Sequence, residues 1–280
     1  MKILIANVGN IRRNEIKTLA AALNKNNTVT IVSMAVESSY KGQAFSYSGT
    51  PVRANPVLYS DVLKNTSAAD TKAYEGINAY EFYATPADAV SIALGEILSH
   101  DRPDLVIAGI GNGTHMGQDI FCSSNIGMAM EAAFFRVPSI SIAIPMKVGG
   151  HTEEECSPAV KFIEKNLEKL AALNLPKHSF LNINIPAVSK YEDLKGIKNT
   201  RLGWIDSLIN EFTENTDHKG GKYYWAKNLS REAAGAEGTD THAFSNGFIS
   251  ITPINYDLTD YDELEKYKAA EQKAKKAVPK

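Results

Sequence analysis

Four short stretches of this chain carry residue types that can do chemistry. Asn7-Val8-Gly9-Asn10 closes the first apolar run, and Ser38 and Ser39 follow the second. "GIGNGTHMGQD", Gly109 to Asp119, interleaves glycines with Asn112, His115 and Asp119, and Cys122-Ser123-Ser124-Asn125 leads into a helical pattern. Glycine lets a backbone approach a ligand closely, and the N–H groups at a helix start attract anions. Ser123, Ser124 and Asn125 are therefore either a phosphate pocket or a plain N-cap. His115 and Asp119 sit four residues apart, as metal ligands or an acid/base pair on one helical face, or as two residues of a solvated loop. The glycine run matches neither the phosphate-loop pattern nor the dinucleotide fingerprint, since no Gly-Lys-Ser/Thr follows. Asp240 and His242, in "GTDTH", read as site residues or as a turn cap. Tyr223, Tyr224 and Trp225 could stack on a base, or pack in a hairpin or a subunit interface.

The elements that must position these stretches follow from hydrophobic spacing. Ile3 to Ala6, "TVTIVSM", "PDLVIAGI" and "PSISIAI" are short apolar runs and read as buried strands. Between them "EIKTLAAALNKN", "TPADAVSIALGEIL" and "SSNIGMAMEAAFF" carry helical spacing, the second opening on Thr85 as N-cap and Pro86 at the first helical position. Such alternation predicts an α/β fold, a Rossmann-like, mostly parallel sheet with helices on both faces. In such sheets ligands bind at the carboxyl ends of the strands, where all four stretches fall. Residues 43–83 alternate and are punctuated by Pro and Gly, which predicts hairpins or an edge extension. After a helix near 153–173 come the strand "SFLNINIP", an antiparallel hairpin excursion over about 195–245, a last strand "GFISITPIN", and a C-terminal helix and tail over about 260–280. One domain spanning 1–280 is expected.

The composition narrows the classes of function. Thirty Lys plus Arg against 32 Asp plus Glu leave a formal charge of −2, so no nucleic-acid polymer or acidic membrane is expected as partner. No run reaches the roughly 18 apolar residues needed to span a bilayer. The two cysteines, Cys122 and Cys156, fit no zinc spacing and are expected as reduced, mostly buried thiols of a cytoplasmic protein.

Taken in order, "MKILIAN", Ser39, "TPADAV", "RPDLVIAGI" through "MGQD", "AMEAAF" with "VPSISIA", "LNINIP" and "GTDTHAFSNGFISITPINYDLT" resemble the survival protein SurE family. That resemblance implies a metal-dependent phosphatase, a 5′-nucleotidase acting on nucleoside monophosphates with magnesium or manganese, assembled as a homodimer or homotetramer. It also exposes a departure. The family's Asn-Asp-Asp-Gly after strand one reads Asn7-Val8-Gly9-Asn10 here, so both metal-binding aspartates are replaced, by Val8 and Gly9. The family's Ser-Gly-Ile-Asn reads Ala108-Gly109-Ile110-Gly111, replacing a third ligand; only Ser39 remains of the usual four. The family's Ser-Gly-Thr phosphate pocket appears as Ser123-Ser124-Asn125. Hard divalent cations are held mainly by carboxylate oxygen. Substitute ligands would have to come from Asn10, Asn112 or Asp119, with Asp88 and His115 as further candidates. Two readings follow for a pocket lined by Asn7, Ser39, Gly111, Asn112, His115 and Ser123. One is a phosphatase with a rebuilt site; the other is a degenerate nucleotide- or small-ligand-binding protein, or an enzyme of changed chemistry.

Overall fold

Along the first strand, β1 (Lys2–Ala6), the side chains alternate between two cores. Ile3 and Ile5 pack with Leu19, Ile31, Ile107 and Phe162, whereas Leu4 and Ala6 pack with Val32, Val90, Val106 and Met128. A strand apolar on both sides must be covered on both sides, and the computed structural model shows that cover. The structure describes residues 1–46, 49, 51–59, 71–204, 212–226 and 235–277.

The elements in chain order are β1, α1 (Asn14–Leu23), β2 (Thr28–Met34), β3 (Arg53–Leu58), β4 (Asn78–Tyr83), α2 (Pro86–Ile92), β5 (Leu105–Asn112), α3 (Ser124–Phe134), β6 (Ser139–Ile144), α4 (Glu153–Ala171) and β7 (Ser179–Asn184). They continue with β8 (Ile197–Asn199), β9 (Phe212–Thr216), β10 (Lys222–Ala226), α5 (Asp240–Ser245), β11 (Ile249–Asn255) and α6 (Tyr261–Ala277). Among the described residues one sheet runs β3-β4-β2-β1-β5-β6-β7-β11-β8, and β9 and β10 form a separate antiparallel pair. From β4 to β7 all neighbours are parallel; β3 and β11 pair antiparallel with β4 and β7. α1 and α4 supply one core, through residues such as Ile16, Leu19 and Phe162; α2 and α3 supply the other, through Val90, Met128 and Ala132.

The expected strands and helices are all present. The Pro- and Gly-punctuated region forms the edge, with β3 on β4. Thr85 caps α2 in a reciprocal box with Asp88, which also accepts from the Ser46 backbone and hydroxyl. Asp88, completely buried, is thus occupied in holding a helix start, remote in role from the ligand duty considered for it. Of the 195–245 excursion the described part includes the β9–β10 hairpin, with Tyr223, Tyr224 and Trp225 exposed on it; residues 205–211 and 227–234 lie outside the described residues. Cys156 is buried and its thiol is pushed up to about 12 by burial, but Cys122 is exposed, contrary to expectation, because it ends a short turn rather than facing the core. No described helix is long and apolar enough to cross a membrane.

Candidate functional site

β1 lies between β2 and β5, so the chain leaves it toward one side of the sheet and later returns on the other. The crevice outside the carboxyl ends of such a strand pair is where open α/β sheets place ligands. Two corners meet there.

The first corner follows β1. Asn7 is buried; its Nδ2 donates to the Ile110 carbonyl at 3.1 Å and its Oδ1 accepts from the Gly9 N–H at 2.9 Å. Asn10 accepts from the Arg12 N–H at 3.0 Å and donates to Glu81 at 3.1 Å. Val8 packs into the apolar cluster of Leu4 and Val32. Gly9 carries an unexpected neighbour: a Cβ there would stand 2.5 Å from both Cδ and Nε of Arg13. Arg13 Nη2 donates to Glu37 Oε2 at 2.6 Å, and the Ser39 hydroxyl donates to Glu37 Oε1 at 2.6 Å. Behind them the buried carboxylate of Glu15 meets His151 Nδ1 at 3.0 Å, while His151 Nε2 faces the Pro145 carbonyl at 2.9 Å. Each of these polar side chains has a partner.

The second corner joins the end of β5 to the start of α3. β5 and β6 pair in register to Ala108 and resume at Gly111, a bulge of the kind that re-aims a strand end. Asn112 is tied to Lys147 both ways, Nδ2 to its carbonyl at 2.9 Å and Oδ1 from its N–H at 2.7 Å. His115 hangs on two buried asparagines of β7. Asn184 Oδ1 accepts its N–H at 2.8 Å, and the Nδ2 groups of Asn182 and Asn184 donate to its carbonyl at 2.5 and 3.2 Å. The next turn is anchored by Asp240, which accepts from Gly117 N–H at 2.9 Å and from Gly203 N–H at 2.7 Å. Ser123 caps α3 through the Ile126 N–H, and Ser124 clasps the helix to the β2 loop, donating to the Ser38 carbonyl and accepting from the Lys41 N–H.

At the centre of this corner the pairing stops. Asn125 is 1% exposed, yet neither its Nδ2 nor its Oδ1 has a hydrogen-bond partner, and the same holds for His115 Nε2. Both side chains crowd the bare Cα of Gly111: a Cβ there would lie 2.3 Å from Asn125 Nδ2 and 2.8 Å from His115 Nε2. His115 keeps a partly exposed edge, but Nε2 is sealed from solvent, and burial pulls the imidazole down to about 4, leaving it neutral at pH 7.

Between the corners opens a cavity of about 50 Å³, more than the roughly 10–15 Å³ one water requires. Of the residues singled out in the sequence, Ser39, Gly111, Asn112, His115, Asp119, Ser123, Ser124 and Asn125 line it together, with Val8; Asn7 and Asn10 do not. Among the described residues no three His, Cys, Asp or Glu side chains come together in a group that could hold a metal ion. Sequence reasoning missed Arg13, Glu37, Asn182, Asn184 and the tie made by Asp240. The signal for Asn182 and Asn184 was present: two asparagines within the otherwise apolar run from Phe180 to Ile185 demand buried partners. For Arg13 there was none, since an arginine at a helix start reads as solvated.

Fold and site define the class. Residues 3–207 match the family model described as survival protein SurE, and the chain belongs to that family. Among its relatives, the 5′-nucleotidase SurE of Thermoanaerobacter sp. (strain X514) is 33% identical over 264 residues, covering 94% of this chain and 96% of that one. The 5′-nucleotidase SurE of Alkaliphilus metalliredigens is 31% identical over 268 residues, with 96% and 98% covered. The crystal structure of the SurE protein from Aquifex aeolicus superposes with a TM-score of 0.73 at 28% identity, covering 97% of this chain and all of that one.

Proposed function

We propose that this protein binds a nucleoside monophosphate or a related phosphate monoester, with its phosphoryl group in the cavity before α3. The observation that carries this reading is the unpartnered, buried amide of Asn125, set beside the neutral His115 Nε2 at the N-terminal end of an 11-residue helix. A buried amide without partners costs about 1–3 kcal/mol, which persists where a ligand supplies the missing bonds. In the occupied state Asn125 Nδ2 donates to a phosphoryl oxygen, and the helix N–H groups add their dipole.

The family implies a magnesium or manganese ion, and the donors present do not suit one. Val8 and Gly9 offer no side-chain oxygen. Asn7, Asn10, Asn112 and Ser39 are engaged with backbone or with Glu37. Asp119 is a single carboxylate at the cavity wall. We therefore derive no hydrolytic step through a metal, and read the cavity as a binding site whose ordinary turnover is lost.

A second reading, a working phosphomonoester hydrolase, is favoured by the relatives named 5′-nucleotidase at about one-third identity across nearly the whole chain. Phosphate release from nucleoside monophosphates and an aryl phosphate, with magnesium, manganese or EDTA, separates the two. We expect binding by calorimetry without release; release that EDTA abolishes would establish the hydrolase and a rebuilt metal site. We also propose one domain assembled as a homo-oligomer, supported by a C-terminal helix exposed along nearly all its described length, and light scattering checks it.

A further inference from the structure

Among the described residues that line the cavity none is a lysine or arginine, and the histidine there is neutral. A phosphate monoester, close to a dianion at neutral pH, needs a cation within reach. We infer that Arg13 is that cation: its guanidinium, seated over the bare backbone of Gly9, exchanges Glu37 for the anionic group of the incoming ligand. The inference rests on the cavity being a phosphate-ester site.

The seat of Arg13 depends on Gly9. Its Cδ and Nε occupy the space any side chain at residue 9 would claim, and Glu37 Oε2 stands 3.3 Å from the same point. From there a short relay leads to the cavity: Arg13 to Glu37, Glu37 to the Ser39 hydroxyl, and Ser39 on the wall. Neither charged partner is sealed in, the Arg13 and Glu37 side chains being 32% and 43% exposed. An ion pair so exposed is worth at most about 1 kcal/mol, so separating Arg13 from Glu37 is a small obstacle, while Nη1 stays 4.0 Å from the buried Glu15 carboxylate. A phosphate offers the guanidinium fork two oxygens at once, as good a geometric match as a carboxylate and with more charge. Glu37 is then a built-in competitor, and its departure frees the Ser39 hydroxyl to donate to the ligand.

The test is calorimetric titration of inorganic phosphate into the full chain in EDTA, with Arg13→Gln and Glu37→Gln beside it. Loss of one charge-assisted pair predicts binding weakened about tenfold or more in Arg13→Gln. Removal of the competitor predicts tighter binding in Glu37→Gln. The thermal melt of Glu37→Gln should match the parent, as expected for an exposed pair, whereas Arg13→Gln also takes the guanidinium 4.0 Å from the buried Glu15 carboxylate and should melt somewhat lower. Phosphate bound equally by the parent and Arg13→Gln overturns the role of Arg13 and leaves the cavity reading standing. Phosphate bound only when magnesium or manganese is added overturns it too. No phosphate binding by the parent under any of these conditions overturns both.

Discussion

The two corners flanking the cavity are built from similar side chains and end in opposite conditions. In the corner after β1, Asn7, Asn10, Arg13, Glu15, Glu37 and His151 each have a partner. In the corner before α3, the amide of Asn125 and Nε2 of His115 have none, although both are buried. A saturated polar network contributes rigidity and meets a ligand only by exchanging a partner it already has. An unsatisfied one holds binding capacity in reserve at a cost in stability. The contrast assigns to the first corner a charge that is yielded only in exchange for Glu37, and to the second the unpaired groups that meet the ligand directly.

The hardest blow to this contrast is Asp240→Ala. It leaves the buried Gly117 N–H and the half-buried Gly203 N–H without their acceptor, at roughly 1–3 kcal/mol for a buried donor, and releases the turn that carries His115. Chemical denaturation should show a loss of about 3 kcal/mol or more, and hydrogen exchange should localise it to the second corner; exchange spread equally into the first corner would break the division. Next in size is Gly111→Asn, whose side chain must displace the buried Asn125 amide 2.3 Å away. Overpacking of this kind costs about 1–3 kcal/mol. The double variant with Asn125→Ser should recover much of that loss, because it vacates the contested space; an unrescued double variant would mean the clash lies elsewhere.

Acidification should act on the second corner through His115. The folded state holds His115 near 4, below its ordinary 6.5, so the unfolded chain binds the extra proton first as pH falls. Its contribution is fully present above pH 6.5 and is lost on descending toward about pH 4, with a slope of about 1.4 kcal/mol per pH unit. Stability of His115→Asn measured across that window should lack this slope. The smallest effect is the most diagnostic. Asn125→Leu replaces unsatisfied amide atoms with a similar apolar volume and should stabilise the protein by about 1 kcal/mol while abolishing phosphate binding. A variant that is destabilised and still binds would sink the idea of reserved capacity.

Much of the architecture was legible from spacing alone, for a local reason. Ile3 to Ala6, "TVTIVSM" and "PSISIAI" are short, β-branched and apolar throughout, which admits only strands buried on both faces. Thr85-Pro86 and Ser123 mark helix starts by the bonds that the Thr85 and Ser123 side chains make three residues on. The co-location of Ser39, Gly111, His115, Asp119 and Asn125 at one cavity followed from the rule that parallel strands gather their loops at one end. The exposure of Cys122 did not, since a short turn looks the same in sequence whether it faces inward or out.

By itself, then, the sequence determined the strands, the helices between them, the end of the sheet that carries the loops, and the absence of carboxylates at Val8 and Gly9. Each of these is a property of one residue or of neighbours within a few positions. Only the tertiary structure decided that Arg13 would lie over Gly9, that Asn125 and His115 would close on Gly111, and that Asp240 would hold a turn 123 residues away. Those outcomes depend on which side chains meet across the sheet and how much room a missing Cβ leaves them. Close packing settles such questions only once the chain has folded.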